Sequence, residues 1–81
     1  MKVNVKVFAA LREELEGSEL SVELPEGATL TTLLDQMGVR YPILKKYAPA
    51  LHFAVNRKYA SGNPILREGD EVALLPPVAG G

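Results

Sequence analysis

No cysteine occurs in the 81 residues, which excludes a disulfide framework, thiolate zinc and iron–sulfur sites, and any sulfur nucleophile of the chain's own. Sulfur chemistry would have to draw its sulfur from outside. Histidine occurs once, tryptophan not at all, and no apolar run approaches the roughly 20 residues a membrane-spanning helix needs. The opening "MKVNVKVF" lacks the continuous apolar stretch of a secretion signal. An excess of one charge is missing too: nine Lys and Arg against ten Asp and Glu leave a net −1, and the lysines are scattered, not massed as a phosphate backbone requires. The expectation is a cytoplasmic protein with no nucleic acid partner, no membrane association and no bound metal.

What is present suffices for one core. At 81 residues and 47% hydrophobic content, a single domain is expected. Val3, Val5 and Val7 alternate with Lys2, Asn4 and Lys6, the period of a strand with one buried face. "AALREELEG" shifts to helical spacing at Leu11 and Leu15, with Gly17 as a stop. Leu20, Val22 and Leu24 restore the alternation before the turn "PEG". Thr29 then caps the strongest helix signal, with Leu30, Leu33, Leu34 and Met37 on one face and Gly38 marking its end. "VRYPILKKYAP", bracketed by Pro42 and Pro49, reads as a connector with one helical turn. Leu51, Phe53 and Val55 predict a third strand that turns at "NRK" and continues briefly through Tyr59 and Ala60. After a tight turn at Glu68, Gly69 and Asp70, the inward-facing Val72 and Leu74 define a last strand that Pro76 must end. The order of elements predicts an α+β domain over residues 1–75.

Residues 76–81 form a separate object. Pro76 and Pro77 lack N–H groups and favour polyproline II, so the strand cannot go on pairing and the chain leaves the sheet. Side chains then shrink from Val78 through Ala79 to Gly80 and Gly81, a taper suited to a channel that rejects a β-carbon. The reactive group of such a tail is its α-carboxylate. Frayed ends are common and a bare Gly-Gly pair means little, but strand, double proline, taper and final glycine together favour function over fraying.

"GDEVALLPPVAGG", with "VKVFAALREEL" and "VNRKYA", resembles the small sulfur-carrier subunit of molybdopterin synthase, a family with the ubiquitin-like β-grasp fold. The resemblance implies a mixed sheet packed on one main helix, with a flexible Gly-Gly tail. It implies that Gly81 is adenylated by a ubiquitin-activating-like adenylyltransferase using ATP and Mg, then converted to a thiocarboxylate by a sulfur donor protein. Pro76, Pro77, Val78, Ala79 and Gly80 would carry that end into the large catalytic subunit, where cyclic pyranopterin monophosphate receives the sulfur. The carrier is then not itself an enzyme and binds no cofactor. Apolar residues matching Phe8, Tyr59 and Leu75 meet the large subunit in this family, and in a β-grasp sheet Phe8 and Leu75 would flank the base of the tail. Leu74 and Leu75 stand where some relatives carry an aromatic pair.

Other readings of the same residues are a carrier for thiamin thiazole or tRNA thiolation, a ubiquitin-like modifier joined to lysine, and a β-grasp interaction domain with an idle tail. The thiazole carriers typically lack the double proline, so "PPV" favours molybdopterin. His52, on the alternate face of strand three with no carboxylate nearby in sequence, receives no role. Arg12 to Glu14 and the pair Lys45 and Lys46 read as solvated charge.

Overall fold

Val3, Val5 and Val7 fill the inward positions of β1, Lys2–Val7, and each is essentially without solvent exposure. This computed structural model describes residues 1–8, 12, 15 and 17–75. β1 pairs antiparallel with β2, Glu19–Glu23, and parallel with β5, Glu71–Leu75. β5 pairs antiparallel with β3, His52–Val55, which pairs with the short β4, Lys58–Tyr59. The five-stranded sheet therefore runs β2-β1-β5-β3-β4, with its two longest-range partners, β1 and β5, side by side at the centre.

One face of the sheet is covered by α1, Leu30–Arg40. Thr29 caps it by a reciprocal box: the Thr32 amide donates to Thr29 Oγ1 at 3.3 Å, and the Thr29 amide donates to Thr32 Oγ1 at 3.2 Å. Leu30, Leu33 and Met37 are buried against Val3, Val5, Val72 and Leu74, with Leu34 partly covered. Leu15, Leu24, Leu44, Leu51 and Leu66 close the rim, and among the described residues no polar side chain is buried. Burial is thus almost purely apolar, at roughly 25 cal/mol per Å².

Three expectations are corrected. Gly38 does not end α1, which continues to Arg40 before Tyr41 and Pro42. Gly38 is buried, and a β-carbon there would stand 3.2 Å from Lys45 Cε, on a flexible side chain of the following helix. That helix, α2, spans Ile43–Tyr47 and runs into a 3-10 turn at Ala48–Ala50, so the presumed connector is helical nearly throughout. The prolines permit it: Pro42 precedes the first turn of one and Pro49 lies within the first turn of the other, where a missing N–H costs nothing. Tyr59 belongs to a separate strand, β4, folded back on β3 by a two-residue turn at Asn56 and Arg57.

That turn places both central residues at positive φ, 51° and 69°, the geometry that matches hairpin twist. Asn56 is held by its side chain, whose Nδ2 donates to Asp70 Oδ1 at 2.9 Å while its Oδ1 accepts from the Glu71 amide at 3.0 Å. Gly69, at φ 81°, sharpens the turn before β5. The expected helix in "AALREELEG" falls mostly outside the described residues, although Leu15 is fully buried and the Gly17 amide donates to the Arg12 carbonyl at 2.9 Å. Residues 76–81 also lie outside them.

Candidate functional site

The face of the sheet opposite α1 carries the candidate site. Because Val5 and Val7 pair with Val72 and Leu74, and Leu74 with Phe53, these side chains share the inner face; the alternate positions share the outer one. A row of outer positions then runs Lys6, Ala73, Ala54, Tyr59 across four strands. One step nearer the end of β5 come Leu75 and, directly opposite it, His52. Phe8 follows the Val7–Leu74 pair on β1 and so reaches the same end and face as Leu75.

Phe8, Leu75 and Tyr59 therefore stand on one surface. Phe8 is 43% and Tyr59 78% exposed, whereas Leu75 is half-buried. They do not form one contact cluster: His52 and Ala54 separate Tyr59 from Leu75. Ala54 and Ala73 make a low floor between the larger side chains, and Ala54 is only 8% exposed although it faces outward. Beside this floor Lys6 Nζ meets Glu71 Oε1 at 3.0 Å, a partly exposed pair contributing on the order of 0.2–1 kcal/mol.

Sequence reasoning passed over His52, Ala54 and Ala73. Strand alternation already put His52 outward; what was lacking is its register against Leu75, a pairing across more than twenty positions that no local pattern records. The alanines carry no chemical signature at all and matter only as the space between their neighbours.

Among the described residues no group of three His, Cys, Asp or Glu side chains could hold a metal. The expected reactive stretch, Pro76, Pro77, Val78, Ala79, Gly80 and Gly81, lies outside the described residues and follows directly on Leu75, at the Phe8 end of the open face.

The ThiS family model matches residues 5–81, the final glycines included. The chain belongs to the ThiS family. A molybdopterin synthase sulfur carrier subunit from Mycobacterium tuberculosis is 40% identical over 82 residues, covering 100% of this chain and 99% of that one. Among solved structures, SAMP1 from Haloferax volcanii aligns over 100% of both chains with a TM-score of 0.87 and 27% identity. A chain from the protein–protein complex of subunits 1 and 2 of molybdopterin-converting factor from Helicobacter pylori aligns over 100% of both, with a TM-score of 0.72 and 26% identity. The ThiS-family chain accordingly has the ubiquitin-like β-grasp fold, with the strand order and covering helix described above.

Proposed function

We propose that this ThiS-family chain is the sulfur-carrier subunit of a molybdopterin synthase. The observation that carries the reading is full-length likeness to a sulfur carrier subunit, in a chain whose family match includes the tapering end from Pro76 to Gly81. Six residues extended at about 3.3–3.6 Å each would hold the terminal carboxylate on the order of 20 Å from the body, deep enough to enter a partner's active site.

A carboxylate resists nucleophiles, so it must first be activated. In the adenylyltransferase the Gly81 carboxylate attacks the α-phosphorus of Mg-bound ATP and expels pyrophosphate, giving a mixed anhydride with AMP as a good leaving group. A sulfide equivalent from the donor protein displaces AMP and leaves the thiocarboxylate. The charged tail then enters the large subunit, where sulfur passes to cyclic pyranopterin monophosphate; water restores the carboxylate, and two such transfers complete the dithiolene. Acids and bases come from the partner. The carrier contributes a thin, unbranched end and an outer sheet face, with Phe8, Leu75 and Tyr59, that seats the body while the tail is inserted. The complex of subunits 1 and 2 from Helicobacter pylori supports a large-subunit partner.

Deleting Gly81 tests the assignment. Sulfur transfer is expected to vanish while the melting midpoint stays that of the full chain; a deletion variant that still supports molybdopterin formation overturns it. A second reading has its own support, since relatives of this fold include a small archaeal modifier protein from Methanosarcina acetivorans, 27% identical with a TM-score of 0.82. In that reading a lysine amine, not sulfide, displaces AMP, and isopeptide conjugates are formed.

A further inference from the structure

The sheet has a second surface, unrelated to the tail. β2 is its outermost strand, and its register against β1 fixes which backbone groups point away. Met1 and Leu24 exchange two hydrogen bonds of 2.7 Å, and the Val7 amide donates to the Ser18 carbonyl at 3.0 Å. By the alternation of antiparallel ladders, Leu24, Val22, Leu20 and Ser18 turn inward, and Glu19, Ser21 and Glu23 turn outward. Among the described residues one donor meets this outer edge, Gln36 Nε2, at 2.8 Å from the Glu23 carbonyl.

Beside that edge lies a groove of about 200 Å³ between β2 and α1, walled by Leu20, Val22, Met37 and Tyr41. Arg40 also lines it, its guanidinium 5.4 Å from the centre of the Tyr41 ring. On the other side of the strand, Glu19 and Glu23 are exposed, and neither belongs to an ion pair among the described residues; Lys6, opposite Glu19, pairs with Glu71 instead. An unpaired edge, an apolar groove on one side and two carboxylates on the other define what fits.

We infer that the outer edge of β2 binds an extended protein segment in which basic and aliphatic residues alternate, added as a sixth strand. The inner neighbour is the template: β1 sets Lys2 opposite Glu23, Lys6 opposite Glu19, and Val3 and Val5 opposite Val22 and Leu20. A segment of the same pattern on the outer side places cations beside both carboxylates and aliphatic groups in the groove. A second copy of β2 fits badly, since antiparallel pairing about Ser21 brings Glu19 against Glu23. This inference is independent of the sulfur-carrier reading.

The test titrates the capped peptide Lys-Val-Asn-Val-Lys-Val into the isotope-labelled full chain and follows amide and methyl resonances. Expected are shifts and slowed amide exchange at Glu19, Ser21 and Glu23, with methyl shifts at Leu20 and Val22. The charge-reversed peptide Glu-Val-Asn-Val-Glu-Val should bind about tenfold more weakly. Ser21→Pro removes an outward N–H while sparing the β1 ladder, and should abolish the shifts. Should that variant misfold, Glu19→Gln combined with Glu23→Gln keeps the backbone and should erase the difference between the two peptides. Absence of binding, equal binding of both peptides to the parent chain, shifts confined to the outer sheet face, or self-association of the free protein through Glu19–Glu23 would each overturn the inference.

Discussion

Val7 and Leu74 are partners in the parallel pairing of β1 with β5, which brings the next two residues, Phe8 and Leu75, to one end of the open face. Neither position is needed for the core, and Leu75 directly precedes Pro76 in the sequence. Replacing either by Asp is expected to weaken the complex with the large subunit by tenfold or more, on the order of 1.4 kcal/mol, because an interface core excludes unpaired charge. Titration calorimetry measures it. Unchanged affinity would show that the tail alone holds the complex together.

The β3–β4 turn separates two adjacent residues with the same backbone geometry. Asn56 tolerates positive φ and makes two side-chain hydrogen bonds to Asp70 and Glu71; Arg57, at φ 69°, makes no side-chain hydrogen bond among the described residues. Asn56→Ala should cost about 1–2 kcal/mol in denaturant unfolding, by removing two side-chain hydrogen bonds and straining the turn. Arg57→Gly should be neutral or stabilising by up to about 1 kcal/mol. Equal effects at the two positions would contradict this account of the hairpin.

Gly38 sits inside α1 against the stem of Lys45. Lys45 is exposed and its chain can swing aside, so Gly38→Ala should gain helix propensity and stabilise by about 0.5–1 kcal/mol. Gly38→Val adds a branched group that the same movement does not clear, and should destabilise. Thermal melts of both variants check the sign; a loss in the alanine variant would mean the α1–α2 contact is rigid.

Where burial alternates with a short period, sequence reasoning reached the structure: the valines of β1, the leucines of α1 with their Thr29 cap, and Val72 with Leu74 on β5 all occupy the faces expected. It failed where structure depends on neighbours distant in the chain. Gly38 looked like a stop because its partner, Lys45, lies on another helix. The helical stretch from Ile43 to Ala50 is too short for a clear period and is bounded by prolines that read as breakers. At the open face, parity put Phe8 and Leu75 on the outer side and only the family resemblance set them side by side, whereas His52 at their end and the floor of Ala54 and Ala73 needed the register of three strands.

The central claim concerns one atom, the oxygen that sulfur would replace on the Gly81 carboxylate. Intact mass spectrometry of the protein isolated from its native cells, with fragmentation to place the change, addresses it directly. The account predicts a fraction of chains carrying one sulfur in place of one oxygen, confined to Gly81. Chains bearing only the ordinary carboxylate while molybdopterin is being made, or joined through Gly81 to lysines with no thiocarboxylate among them, would contradict it.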